Sequence, residues 1–258
     1  MMFIIHPIKI AIIGIAMALV AQNAGAQTVI SAIPYVITSS GNYVLEKSLT
    51  LPVSQVSGNA ITINASNVTI DMNGFAITKN QTGNTPHCFG IYALNRANIT
   101  VKNGLIFGFY EGIRFDFIEG GNTNSNHLVD GVRFTNEQAF GIVLIQTTNS
   151  LIQNCAMAST GFDTSGNVVS GFGAGIDLAV NAGVANALIN NRIIKSLQAG
   201  IETKGGQALG GTYLEGNLSS KSAIGFDLSP NDKYRNNTTI SCTLPFSANG
   251  AVDLGGNN

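Results

Sequence analysis

The sequence predicts an all-β solenoid of stacked parallel coils, and three observations predict it. A tetrad recurs, a second strand pattern recurs between its copies, and the composition favours tight turns over charge. The tetrad Gly-Ile-x-aliphatic returns as Gly90-Ile91-Tyr92-Ala93, Gly112-Ile113-Arg114-Phe115, Gly141-Ile142-Val143-Leu144 and Gly175-Ile176-Asp177-Leu178, then as Gly200-Ile201-Glu202-Thr203 and Gly225-Phe226-Asp227-Leu228. Successive copies lie 22, 29, 34, 25 and 25 residues apart, a repeat near 25 residues that carries insertions. A unit of that length cannot bury its own apolar face and must stack on its neighbours. The 258 residues include 30 Gly and no Trp, 10% are charged and 45% are apolar, so turns are plentiful and a core is available.

Taken from the N-terminus, residues 1–26 are expected to be an export signal. Lys9 precedes an apolar run from Ile10 to Val20, and Ala24-Gly25-Ala26 has the small-residue pattern of a cleavage site. The run is short of the roughly 20 residues that cross a bilayer, and no second apolar segment of that length follows, so no membrane span is expected. The mature chain is expected to start at Gln27, in the periplasm or the extracellular medium. Losing Lys9 from 13 basic residues leaves 12 against 14 acidic ones, a formal charge of −2. Nucleic acid is excluded as a partner on that balance, because binding it needs clustered Lys and Arg.

Residues 27–57 are read as an N-terminal cap with the first strands, and 58–258 as the solenoid. Val36–Leu45, Ala60–Ile63 and Asn67–Gly74 supply the opening strands, with Asp71 ordering an early turn through its carboxylate. Between tetrads, Asn98–Gly104, Asn149–Cys155, Ala187–Arg192 and Thr212–Asn217 alternate apolar and polar residues over short runs, which predicts strands and not helices. One column of that pattern reads Asn103, Gly131, Asn154, Asn191, Gly216, Asn236. Asn and Gly tolerate positive φ, so a left-handed corner is predicted there in every coil.

The tetrads, followed by segments such as Ala187-Leu188-Ile189-Asn190-Asn191-Arg192, resemble the right-handed parallel β-helix of the pectate lyase-like superfamily, from about Asn59 to the C-terminus. The resemblance implies about seven to eight coils in one domain, and it places a substrate cleft over the tetrad sheet between flanking loops. Insertions at Lys79–Phe89, Phe117–His127 and Ala158–Ala174 adjoin tetrads, where they would wall such a cleft.

Alternation in a tetrad strand sends Ile and Leu inward and x to solvent. Down the stack, x reads Thr62, Tyr92, Arg114, Val143, Asp177, Glu202, Asp227, Asp253. Four successive carboxylates about 4.8 Å apart need a counter-charge, a cation or full hydration. Two uses of the row stand beside a merely solvated face. Asp177, Glu202, Asp227, Tyr92 and Arg114 could bind the hydroxyls of a sugar chain, with Tyr110 as a further exposed ring. Alternatively Asp177, Glu202 and Asp227 could hold a cation such as Ca²⁺.

Some lyases of the resembled superfamily are implied to use an Arg or Lys base, which makes Arg114 the catalytic candidate. A guanidinium gives up its proton very reluctantly, which counts against that role. The polygalacturonase patterns Asn-Thr-Asp, Asp-Asp, Gly-His-Gly and Arg-Ile-Lys are absent, with Arg192-Ile193-Ile194-Lys195 only a near miss. Three readings therefore stand. The first is an exported protein that binds a polysaccharide or surface glycan without proven catalysis. The second is a lyase or hydrolase acting on an acidic polysaccharide, and the third a structural or adhesive surface element.

Cys88, Cys155 and Cys242 are expected as structural thiols, because coils two or more apart exceed the ~7 Å reach of a disulfide. His87 and His127 are expected as polar loop residues. Nothing obvious covers the last coil, so association through it into an oligomer is a further expectation.

Overall fold

This computed structural model describes residues 26–52, 54–55, 57–80, 88–119, 124–169, 171–179, 184–205 and 211–258. Among them there is no helix, and every pairing between strands is parallel. The strands form a right-handed parallel β-helix with two sheets, one of nine strands and one of sixteen among the described residues.

The nine-stranded sheet runs Tyr35–Ile37, Ile61–Ile63, Phe89–Leu94, Glu111–Asp116, Phe140–Ile145, Ala174–Ala179, Ala199–Gly205, Ile224–Asp227 and Leu244–Ser247. Among the described residues this sheet is nine strands deep, and six of its strands carry the tetrad. The other three are the first two strands and the last, which lack it. Tyr35–Ile37 pairs in register with Ile61–Ile63, so the early strands continue the same ladder.

Register explains the core. Ile61, Ile91, Ile113, Ile142, Ile176 and Ile201 are consecutive partners, all 0% exposed, and Phe226 and Phe246 extend the column. Each buried side chain of this size is worth about 1.5–3 kcal/mol relative to exposure. The tetrad Gly lies tight between a side chain from the other sheet and the backbone of the next coil. A Cβ on Gly112 would sit 2.5 Å from the Phe134 ring and 2.6 Å from the Gly141 carbonyl oxygen, so only hydrogen fits.

The sixteen-stranded sheet bends once per coil. Asn103, Gly131, Asn154, Asn190, Gly216 and Asn236 have φ between 53° and 67°, the left-handed corner. The fourth member is Asn190 and not the expected Asn191. Two adjacent asparagines leave the register open by one, and the structure puts Asn191 inside. There it joins a buried ladder in which each backbone N–H donates to the next side-chain oxygen: Cys155 to Asn191 (3.1 Å), Asn191 to Asn217 (2.9 Å), Asn217 to Asn237 (2.9 Å) and Asn237 to Asn257 (2.9 Å). The Asn191, Asn217 and Asn237 side-chain amides donate in turn to the carbonyls of Ile152, Leu188 and Leu214. Asp71 orders its turn as expected, accepting from the Asn73 backbone N–H at 2.9 Å.

The end of the chain corrects one expectation. Val252-Asp253 pairs with Lys233–Arg235 in the sixteen-stranded sheet, so Asp253 is not part of the x column. Ser247 takes that place beside Asp227. The sequence Ala251-Val252-Asp253-Leu254 imitates a tetrad, but the strand Leu244–Ser247, without Gly-Ile, is the one whose Phe246 stacks on Phe226 at 5.1 Å.

Candidate functional site

The outward face of the nine-stranded sheet carries the side chains singled out from the sequence. Thr62, Tyr92, Arg114, Val143, Asp177, Glu202 and Asp227 are consecutive register partners, as expected from alternation. They do not all reach solvent. Val143, Asp177 and Asp227 are 2%, 7% and 6% exposed, while Tyr92, Arg114 and Glu202 are half-buried. Alternation decides the face a side chain leaves from, and what stands over that face decides its exposure. The ring of Phe172, from the Ala158–Ala174 insertion, lies 6.5 Å from that of Phe140 in the strand of Val143.

At the Arg114 end the face opens into a pocket of about 330 Å³ lined by Phe89, Tyr92, Tyr110, Glu111, Arg114 and Asp116. Arg114 is held from two sides. Its Nε donates to Asp116 Oδ2 at 2.9 Å, and its Nη1 donates to both Glu111 oxygens at 3.0 and 3.1 Å. The guanidinium carbon stands 5.5 Å from the centre of the Phe89 ring, which stacks on Tyr92 at 5.4 Å. Burial pulls the Arg114 pKa down, but Glu111 and Asp116 outweigh it and hold the group above its ordinary value. Burial pushes the Glu111 carboxyl up against the pull of Arg114, and pushes both Tyr92 and Tyr110 up as well.

Two coils along the sheet, Asp177 is an isolated buried acid. Its Oδ1 has no hydrogen-bond partner. Burial first, then the charges of Glu202 and Glu111, push its pKa up to about 8, with Arg114 opposing. Glu202 is also raised, by burial and by Asp227, while Lys204 works the other way. Lys204 Nζ lies 3.6 Å from Asp227 Oδ1. The carboxylates therefore stand in single file, one per coil. Among the described residues no three His, Cys, Asp or Glu side chains group to hold a metal ion.

The site residues that alternation could have found are Asp116, two positions after Arg114, and Lys204, two after Glu202. Glu111 escapes that logic because alternation from Ile113 and Phe115, both in the core, would send it inward, whereas it joins Arg114 outside. Phe89 leaves the sheet in the Glu111 column. Of the six aromatics between residues 107 and 134, Phe109, Phe115 and Phe134 are buried in the core.

His127 is not a polar loop residue. It is 3% exposed, its ring lies 4.3 Å from that of Phe115, Nε2 bonds Asn124 Oδ1 at 2.8 Å and Nδ1 accepts from the Ile99 N–H at 3.4 Å. Burial drives its pKa down to about 3, so it is neutral. His87 lies outside the described residues. Cys88, Cys155 and Cys242 are free thiols, the first two buried.

No protein-family model matches the chain, and no curated protein matches it. Solved structures do. The chain is similar to pectate lyase Pel9A, with 14% identity, 81% of this chain and 69% of the other covered, and a TM-score of 0.51. It is similar to the catalytic domain of a GH87 alpha-1,3-glucanase in complex with tetrasaccharides, at 17% identity, 90% and 53% coverage and a TM-score of 0.54. An alginate lyase from Paenibacillus sp. str. FPU-7 gives 14%, 89% and 86%, and 0.52. The chain spans about half the length of the glucanase domain. These structures share the right-handed parallel β-helix fold of pectate lyase-like proteins, which is the fold of this chain.

Among the described residues no helix is long and apolar enough to cross a membrane.

Proposed function

We propose that the protein is an exported β-helix protein that binds an extracellular glycan along the outward face of the nine-stranded sheet, with the Arg114 pocket as its principal subsite. One observation carries the reading: Phe89, Tyr92 and Tyr110 surround a guanidinium clamped by Glu111 and Asp116, on the same face as the Asp177–Asp227 row. Aromatic faces take the C–H side of a pyranose, and carboxylate oxygens accept from its hydroxyls. The polysaccharide lyases and glucanase of the same fold support a saccharide ligand by analogy only. Replacing Tyr92→Ala together with Tyr110→Ala should weaken glycan binding by about tenfold or more, at roughly 1.4 kcal/mol per decade. Unchanged affinity in a folded double variant would remove the pocket from the reading.

A second reading, glycoside hydrolysis, is favoured by Asp177. A carboxyl with a pKa of about 8 and an unpartnered oxygen is a proton donor at neutral pH, and Glu202 is its register partner in the next coil. A protonated carboxyl beside a second carboxyl group is the pairing that acid-assisted cleavage of a glycosidic bond uses. Release of reducing ends from a bound glycan, abolished by Asp177→Asn with binding retained, would establish it. Lyase chemistry with Arg114 as base gains nothing from its surroundings, since both carboxylates bind its protonated form.

A further inference from the structure

Resting on the glycan-binding reading, we infer that the saccharide taken by the nine-stranded sheet is uncharged, and that the face discriminates against carboxylated, sulfated or phosphorylated chains. The nine strands contain five acidic side chains, Glu111, Asp116, Asp177, Glu202 and Asp227, of which Asp177 keeps its proton at neutral pH, two cations, Arg114 and Lys204, and no other charged residue. Both cations are already engaged. Arg114 holds Glu111 at 3.0 Å and Asp116 at 2.9 Å, and Lys204 is 3.6 Å from Asp227.

An anionic sugar laid on this face must shed water beside surplus carboxylates. To gain an ion pair it must break Arg114 away from one of them. Leaving a buried charge without its partner costs more than a rim contact returns. The stretches of sequence outside the described residues between 53 and 210 contain no Lys, Arg, Asp or Glu, so their composition adds no cation to the account. Nor do the acids offer a point where a divalent ion could bridge them to a polyanion, for Asp177, Glu202 and Asp227 rise one per coil and Glu111 and Asp116 are joined through Arg114.

A neutral sugar supplies what the face lacks. Its hydroxyls donate to the carboxylate oxygens, and its C–H faces cover Phe89, Tyr92 and Tyr110 without importing charge. The pocket is at the small end of ligand sites, which span ~300–1,000 Å³, so it suits a short stretch of sugar with the rest of the chain along the sheet.

The test is a glycan array of neutral and anionic oligosaccharides probed with the full mature protein at pH 7. The neutral hits and a size-matched oligogalacturonate are then titrated calorimetrically at about 0.05 and 0.5 M salt. Binding of neutral sugars should change less than about twofold with salt, while the oligogalacturonate binds at least about tenfold more weakly at low salt. The double variant Glu202→Gln, Asp227→Asn should narrow that gap. Tighter binding of the oligogalacturonate, or affinity that falls as salt rises, would overturn the inference and leave glycan binding standing. Failure of every glycan to bind would sink the glycan reading itself.

Discussion

Asp177→Asn should flatten the dependence of stability on pH above neutrality. In the folded protein the Asp177 carboxyl titrates near pH 8, against an unfolded value of about 3.9. Between those values the folded state keeps a proton that the unfolded chain releases. Stability therefore falls as pH rises, by about 1.4 kcal/mol per unit, and levels off above the folded pKa. Across the window this amounts to roughly 6 kcal/mol, a large share of a typical domain's stability. The groups facing Asp177 are Glu202 and Glu111, which raise its pKa, and Arg114, which lowers it. His127 gives the opposite slope, because its folded pKa of about 3 lies below the unfolded 6.5, and its contribution is lost as pH falls through that interval. From about pH 4 to 6.5 the two slopes oppose each other, and above 6.5 the Asp177 slope stands clear of the histidine. Urea unfolding at pH 6.5, 7.25 and 8 should show the wild-type midpoint falling and the Asp177→Asn midpoint falling much less, with the variant the more stable at pH 8. Parallel curves for the two proteins would refute the burial argument for this residue.

Three further perturbations follow from the packing. Gly112→Ala should destabilise by about 1–3 kcal/mol or prevent folding, since its methyl has no room beside Phe134 and the Gly141 carbonyl; a wild-type melting temperature would contradict that contact. Cys155 occupies the ladder position of Asn191, with Sγ 3.7 Å from the Val129 carbonyl oxygen, so Cys155→Asn should hold stability within about 1 kcal/mol. Cys155→Ala should lose about 1–2 kcal/mol in the same denaturation, and equal losses in both variants would show that the column does not accept an amide there. His127→Phe should remove acid lability between about pH 4 and 6, read as a smaller drop of melting temperature than in the wild type.

The architecture is legible in the sequence because a parallel stack repeats one constraint per coil. The tetrad glycines record the tight fit between the other sheet's side chains and the next coil's backbone, and the isoleucines beside them record the core column. Thr62 to Asp227 could be put in order before any coordinates, since strand register follows from aligning the tetrads. Where two residues satisfy the same constraint the reading slips, as at Asn190 and Asn191, or at Asp253, whose segment imitates a tetrad while Leu244–Ser247 fills the layer. The pocket was legible in part, through Tyr92, Tyr110 and Arg114. Glu111 joins Arg114 against the alternation of its own strand, and the burial of Asp177 depends on what lies over the sheet, which no repeat pattern encodes.

The most direct measurement is a crystal structure of the protein with a bound neutral oligosaccharide. The account predicts a sugar ring against Tyr92 and Tyr110, with hydroxyls on Asp116 or Glu111 and the chain running along the nine-stranded sheet. Sugar seated on the outer face of the sixteen-stranded sheet, with the Arg114 pocket empty, would contradict it.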